Sequence, residues 1–432
     1  MAFAYGIWDP STQEAAVDLG PPPVQSLVVS AHSEEARLAK WFPAWTLQVS
    51  RSESPAASIG QPVFQHELVG SAQEAAFAKE AERLLQSSES LFDLSASLRG
   101  LTKHGVSSVS LSSDPLELLR CTKQGHPLTC RPFALVLGSL AVSKGYTSRL
   151  LGLSADGEKF DHAVVEVYMP EFQKWIVIDP DFNVAYRRQG QWQNAAELHD
   201  IWQEITVASH GETVSKETFR DHLRSHQLEL CVLGSQGEEL RRTNLYGVRG
   251  GIGLQFYNNV IYSTRNNYLS GSYPPGHPKG TFQYALVSKS THVPLKVCPE
   301  ASPVRTRADV YFPVGRSEIE IARKVGDNAI EVHLGTWTPN FKEFEVRIDG
   351  AEWKAQRHSV LVLRLDEGNR ALEVRSVNLA GLRGETSTLE IVVAERKEAN
   401  SNAAHNGLSA IATTGWRTPM PYSCRYPLAS AR

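Results

Sequence analysis

Three residues in the middle of the chain have the types, and the order, of a nucleophile, its base and an orienting acid. Cys130 stands in "LTCRPFALVLGSLAVSKGYTSRLLGL", His162 opens "HAVVEVYM" and Asp179 closes "KWIVID". A cysteine attacks as its thiolate, a form favoured by the unpaired amides and dipole of a helix N-terminus and by a neighbouring imidazolium. In such a set Cys130 attacks a carbonyl carbon and His162 carries the proton. Asp179 fixes the imidazole tautomer and stabilises its cation. The backbone amide of Cys130 is a ready donor for the oxyanion.

The spacing of His162 and Asp179 has geometric content of its own. "HAVVEVYMPEFQKWIVID" reads as two strands around the loop Pro170 to Gln173. A simple antiparallel register pairs Met169 with Lys174 and, along the ladder, Val164 with Asp179. His162 is then diagonal to Asp179 and on the same face, because strand side chains alternate. Diagonal neighbours lie about 7–8 Å apart at the backbone, within reach of an imidazole and a carboxylate. A one-residue slip sends them to opposite faces, and Asp161 or Asp181 then becomes the alternative acid. The set is complete if the helix that begins at Cys130 packs its N-terminus against that same face.

Plainer readings stand beside these. A cysteine alone in an apolar helix is most often a core thiol; His162 and Asp179, in order behind it, turn the balance towards catalysis. Cys121, Cys231, Cys298 and Cys424 have no such partners and read as structural. Gln124 is a minor candidate for a second oxyanion donor; His126 is a candidate for a cleft residue, although it reads more simply as a solvated loop histidine. Arg149 is expected to pack or pair within its own domain. Trp337, Phe341 and Trp353 read as core residues rather than a sugar platform.

Taken together, "LTCRPFALVLGSLAVSKGYTSRLLGL" and "DHAVVEVYMPEFQKWIVIDP" resemble the transglutaminase-like superfamily of cysteine enzymes, over roughly Asp114 to Ala185. Cys130, Gly145, Arg149, His162, Glu166, Tyr168, Trp175, Asp179 and Pro180 stand at the matching positions. The resemblance implies a papain-like α+β fold with a catalytic triad of Cys130, His162 and Asp179. It implies acyl transfer to an amine or to water, the amidases that remove glycans from asparagine included. This chemistry needs no cofactor and no metal, and no acidic run offers the ligand loop that calcium-dependent animal members would require.

The elements that must position the three residues follow from periodicity and turn signals. Ser71 to Leu98 reads as one helix, Asp114 to Cys121 as a short one, and Thr129 to Lys144 as a helix stopped by Gly145. "TSRLLGL", "HAVVEVYM" and "KWIVID" read as strands, so one helix on a small antiparallel sheet is the implied unit. Asn194 to Gln203 and Lys216 to Arg224 read as helices that close it. Short alternating strands between Ala308 and Glu395 point to a β-sandwich. The expected organisation is an N-terminal strand and loop region (1–70), a transglutaminase-like catalytic domain (71–234) and an irregular connecting region (235–305). An immunoglobulin- or fibronectin-like sandwich (306–397) and a flexible tail (398–432) follow.

The 432 residues suffice for two or three domain-sized cores. A net charge of −3 without a Lys/Arg stripe argues against nucleic acid as a partner. The longest apolar runs are about half of a membrane span. The N-terminal residues carry no basic, apolar secretory pattern, so a soluble cytoplasmic protein is expected as written, and an exported one if a leader precedes it. Five scattered cysteines without a CxxC pair imply at least one free thiol. Two function classes fit. One is an acyl-transfer enzyme acting on a protein or peptide substrate, glycan-linked peptides included. The other is a binding or scaffold protein that recruits a protein or polysaccharide through the cleft and the sandwich.

Overall fold

A computed structural model describes residues 31–51, 64–108, 112–208, 225, 227–233, 253–270, 282–288, 291, 294–307, 310–312 and 314–396. The expected helix at Lys216 to Arg224, about half of the Gly/Asn/Tyr-rich middle and the tail after Lys397 lie outside them.

In the described part of 1–70 a helix joins the strands and loops expected there, and the strand read at "WTLQVS" is present. "AHSEEARLAKW" forms α1 (Ala31–Trp41), followed by β1 (Trp45–Arg51). Leu38 and Phe42 are buried at its C-terminal end, so helical spacing of apolar residues outweighs the polar average of the segment. β1 does not stay with its sequence neighbours. It pairs antiparallel with the last described strand of the chain, Trp45 opposite Glu395 and Arg51 opposite Leu389.

Four helices follow, set off by caps that the sequence carries. Ser71 accepts from the Glu74 amide at 3.2 Å to start α2 (Ala72–Ser87). Ser90 starts α3 (Leu91–Leu101) through a capping box. Its hydroxyl accepts from the Asp93 amide, and the Asp93 carboxylate accepts from the Ser90 amide, both at 3.1 Å. The single helix expected from Ser71 to Leu98 is therefore two, because the serines between them supply a stop and a new start. Asp114 caps α4 (Pro115–Lys123), with Pro115 in its first turn. The fourth is α5 (Cys130–Ser143), whose residues from Pro132 to Val142 are all buried. It ends at Gly145, whose φ of +88° is the left-handed cap expected there.

The sheet beside these helices has nine strands, most of them antiparallel. They are β2 (Thr147–Ser154), β3 (His162–Met169), β4 (Lys174–Asp179), β5 (Val184–Arg188), β6 (Gln191–Trp192), β7 (Leu228–Val232), β8 (Asn259–Ser263), β9 (Phe282–Leu286) and β10 (Ser302–Pro303). Their order is β10-β9-β8-β2-β3-β4-β5-β6, with β7 also on β5. Within 235–305, β8, β9 and β10 are the few strands expected in an otherwise irregular connection. β8 carries the fully buried Val260 and Ile261, and it extends the sheet beyond β2. Helices α2 to α5 cover one face, around Leu150, Val165, Val167, Ile176 and Ile178. The other face, with Leu151, Leu153, Val164 and Val177, is covered by α6 (Ala195–Ala208).

The remaining strands alternate as the sequence implies: β11 (Ser317–Val325), β12 (Ala329–Thr336), β13 (Phe341–Ile348), β14 (Lys354–Gln356), β15 (Val360–Arg364), β16 (Gly368–Asn378) and β17 (Ser387–Glu395). They make two antiparallel sheets, β1-β17-β16-β13-β14 and β11-β12-β15, which share one apolar cluster with Leu38 and Phe42. Because β1 and α1 belong to it, this unit is not built from 306–397 alone. The molecule is a mixed α/β protein with several sheets. Cys121, Cys130 and Cys298 carry free thiols, and Cys231 is disulfide-bonded.

The two halves meet at an aromatic cluster of Tyr168, Trp175, Phe312 and Trp337. His66 packs into its edge, 4.7 Å from the Phe64 ring and 5.3 Å from that of Trp337. Neither ring nitrogen of His66 reaches water or a hydrogen-bond partner. Burial therefore pulls its pKa down to about 3. In the unfolded chain the ring titrates near 6.5, so protons bind the unfolded state first. The stability that rests on the neutral ring is complete above that value and drains away as the pH falls towards 3. A His66→Leu variant is expected to lose less thermal stability between pH 7 and pH 4 than the unaltered protein. The expected difference in Tm is at least about 2–4 °C, corresponding to roughly 1 kcal/mol. Parallel losses in both proteins would show that folding does not lower the His66 pKa.

Candidate active site

His162 is the first residue of β3 and Asp179 the last of β4, so the hairpin brings both to the same end of the sheet. The ladder pairs Met169 with Lys174 and Val165 with Ile178, which puts Val164 beside Asp179 as the spacing predicts. The turn between the strands is a 3₁₀ turn at Pro170–Phe172 closed by Gln173, whose φ of 51° is left-handed. His162 Nε2 donates to Asp179 Oδ2 at 2.7 Å, with both residues almost fully buried. Asp179 Oδ1 accepts from the amides of Asp181 and Phe182 at 3.1 and 3.0 Å. The carboxylate is thus held at both oxygens and the imidazole at one nitrogen.

Cys130 arrives from an unexpected side. The body of α5 packs on the face of Ile176 and Ile178, opposite to the one that carries His162, and not against the His162 face. Its first residue reaches around the strand ends instead. Cys130 Sγ, a His162 ring nitrogen and an Asp181 carboxylate oxygen all lie within 4.8 Å of one another. Since Nε2 is committed to Asp179, Nδ1 is the nitrogen left to face the thiol. Thr129, the N-cap of α5, makes no side-chain cap bond, so its hydroxyl does not compete for the first-turn amides. The Cys130 amide has no acceptor within the helix and stands beside the sulfur that it would serve.

The electrostatics of this end of the sheet are set by two His–Asp pairs. Burial alone would lower the His162 pKa. The Asp179 carboxylate, by charge and hydrogen bond, and then Cys130 outweigh it and hold His162 well above its usual range. The second pair joins His104 and Asp181, with Nδ1 at 2.8 and 2.9 Å from the two carboxylate oxygens. Hydrogen bonding to Asp181 raises the His104 pKa, against burial and the nearby Arg99 and His162. Arg99 is buried and donates to the backbone oxygens of Asp181 and Thr102 at 3.0 and 2.6 Å, fastening α3 to this turn.

Two aromatic rings flank the imidazole. Phe182 stacks 4.9 Å from His162, and Phe256 lies 5.6 Å away. Phe256 comes from the 3₁₀ turn Leu254–Asn258, which is entered through Gly253 at φ +68°. A Cβ at Gly253 would sit 3.2 Å from the Phe256 ring and 3.5 Å from that of Phe182, so a bare backbone is what lets the two rings close together here.

The other expected residues are placed as follows. Asp161 accepts from the Ala155 amide at 2.8 Å and takes no part in the cluster. Asp181, weighed as a substitute for Asp179, joins the site next to it rather than in its place. Gln124 is an exposed C-cap of α4, and His126 is exposed, its carbonyl accepting from Thr102. Arg149 pairs inside the domain with Glu166, as expected. His104, Phe182 and Phe256 were not legible. A single histidine in "TKHG" and single phenylalanines have no spacing to the triad that a pattern could read. Among the described residues, one group of cysteine, histidine and carboxylate donors converges closely enough to hold a metal ion, namely Cys130, His162 and Asp181.

No known protein family and no curated protein matches this chain. One solved structure, red sea bream transglutaminase, aligns at 10% identity over 74% of this chain and 73% of its own, with a TM-score of 0.20. A superposition that loose carries no argument, and the site is read from its own geometry.

That geometry makes Asp179 the group that raises the pKa of the buried His162, against the lowering by burial. In an Asp179→Asn variant the imidazole titration, followed by NMR of the ring protons, is expected to fall, because the charge and hydrogen bond that raise it are lost while burial remains. An unchanged midpoint would show that the carboxylate does not set it.

Proposed function

We propose that the protein is a cysteine-dependent enzyme of transglutaminase-like, papain-like type that forms a thioester at Cys130. The observation that carries this reading is the chain of contacts from a buried carboxylate to an imidazole to a thiol, Asp179 to His162 to Cys130, at the N-terminus of an apolar helix. The acyl donor is an amide or ester of a protein or peptide, and the acceptor is an amine or water.

The steps follow from the placement of the groups. The Cys130 sulfur attacks the carbonyl carbon while His162 Nδ1 holds the thiol proton. The developing oxyanion meets the Cys130 amide. As the tetrahedral intermediate collapses, His162 delivers that proton to the departing amine or alcohol, and the acyl group stays on sulfur as a thioester. His162, neutral again, then removes a proton from the incoming amine or water, which attacks the thioester and restores Cys130. Asp179 keeps the ring in one orientation throughout and stabilises its cation. Phe182 and Phe256, beside the ring, keep bulk water from its faces and so strengthen the interactions within the site. Residues 71–234 would supply the triad, with β8 and β9 extending the sheet on which it stands.

The test is brief labelling with iodoacetamide at pH 6, followed by mapping of the labelled cysteines by mass spectrometry. Cys130 is expected to react at least about tenfold faster than Cys121 or Cys298, because the imidazole beside its sulfur can take up the thiol proton. In His162→Ala that advantage is expected to disappear. Equal, slow labelling at all three sites in the unaltered protein would remove the nucleophile reading.

A further inference from the structure

Asp181 has no role in the acyl-transfer steps, yet its buried carboxylate stands within 4.8 Å of both the Cys130 sulfur and a His162 nitrogen. Beside a sulfur that is to ionise, a second negative charge is unfavourable unless a cation offsets it. His104 supplies part of that offset from the outer side, with its Nδ1 on the Asp181 carboxylate. On the inner side three different donors converge: a thiol sulfur, an imidazole nitrogen and a carboxylate oxygen. We propose that Cys130, His162 and Asp181 bind one thiophilic divalent cation of the zinc class, and that its binding switches the nucleophile off. The site itself stands on the donor geometry, while its regulatory consequence rests on the reading of Cys130 as the nucleophile.

Zinc holds sulfur at about 2.3 Å and nitrogen or oxygen at about 2.0–2.2 Å in a tetrahedron, which sets its ligands roughly 3.3–3.8 Å apart. From their present limit of 4.8 Å the three donors need close by no more than about 1.5 Å to meet that shape. The outer layer that orients metal ligands is already built. His162 is held through its other nitrogen by Asp179, in the carboxylate–histidine arrangement that fixes which nitrogen faces a metal. Asp181 is held by His104 through its carboxylate and by Arg99 through its backbone oxygen. One sulfur, one nitrogen and one carboxylate suit zinc, whereas calcium and magnesium seek six or more oxygen ligands. Three protein ligands leave the fourth position to water.

Charge and protons balance. The cation meets a thiolate and a carboxylate, so its two positive charges are neutralised in the first layer. The proton shared between Cys130 and His162 Nδ1 leaves for solvent, since that nitrogen must offer its lone pair to the metal. No oxidant or reductant takes part. With the metal in place the sulfur lone pair and the imidazole base are both occupied, and acyl transfer at Cys130 stops.

The test uses the full chain freed of metal by a chelator that is then removed. Cobalt(II) is added as a spectroscopic probe of the site, and zinc is added to displace it. The expected result is one cobalt per chain, with a near-ultraviolet sulfur-to-cobalt band and the visible bands of a tetrahedral ion, both erased by zinc. The near-ultraviolet band should vanish in Cys130→Ser, and zinc should slow iodoacetamide labelling of Cys130 at least about tenfold. Binding should fail in Asp181→Asn. Should that variant not fold, by circular dichroism, His104→Gln replaces it: this side chain is half exposed, and its loss is expected to weaken binding about 10–100-fold. The proposal is overturned if cobalt gives no such bands, if they persist in Cys130→Ser, if His104→Gln binds as tightly as the unaltered protein, or if Cys130 labels at full rate with zinc bound. The nucleophile reading fails separately, when the metal-free protein labels Cys130 no faster than Cys121. The cobalt spectrum does not depend on that rate.

Discussion

Everything at the candidate active site depends on the register of one antiparallel ladder. β2, β3 and β4 are paired so that Leu153 faces His162 and Val165 faces Ile178. Slipping either strand by one residue would carry His162 or Asp179 to the α5 face, where Ile176 and Ile178 now pack. Two features hold the register. The hairpin turn at Pro170–Phe172 fixes it locally for β3 and β4. For β2 and β3 the fixing element is electrostatic, because Arg149 and Glu166 lie directly opposite each other in the ladder and are almost wholly enclosed.

That ion pair is a device for selection more than a source of net stability. Two charges removed from water regain in mutual attraction about what their dehydration costs, so an apolar pair of similar volume could replace them. What an apolar pair could not do is penalise the wrong register, in which each charge would be buried alone. The pair has also been made the centre of a wider junction. Glu166 accepts from the amide of Ala195 at the start of α6 at 2.9 Å and from the hydroxyl of Tyr311 at 3.0 Å. Arg149 donates to the carbonyl of Val310 and lies 4.3 Å from the centre of the Trp175 ring. One ladder position therefore ties together the sheet, the helix that covers it and the segment leading to β11.

What could be read from the sequence was local, and what could not was long-range. The β3–β4 hairpin is legible because its turn, its alternation and the pairing of Val164 with Asp179 sit within 18 residues, His162 to Asp179. The helix from Cys130 is legible because its apolar run ends at a glycine. The face on which α5 packs was not, since a helix buried on all sides carries no stripe to say where the sheet lies. The pairing of β1 with β17 joins opposite ends of the chain, and no local signal encodes a partner so remote. Likewise, the second His–Asp pair exists because Arg99 on α3 and the turn after β4 bring His104 to Asp181, a contact between residues 77 positions apart.

The position of α5 changes how the site should be understood. Had the helix packed on the His162 face, the cysteine would have been enclosed by its own helix and by α6, with little room for a substrate. Packed on the opposite face, α5 buries eleven consecutive residues, Pro132 to Val142, and offers only its first turn to the chemistry. The apolar run then serves as an anchor that cannot rotate without exposing itself, and Cys130 inherits that rigidity at the edge, where it is partly exposed. Stability and access are thereby separated along one helix. The charges follow the same separation: the sheet interior holds the balanced pair of Arg149 with Glu166, whereas the strand ends gather two carboxylates, two imidazoles and a thiol. The proposed proton transfer and the proposed cation site both draw on these groups, gathered where the strands end.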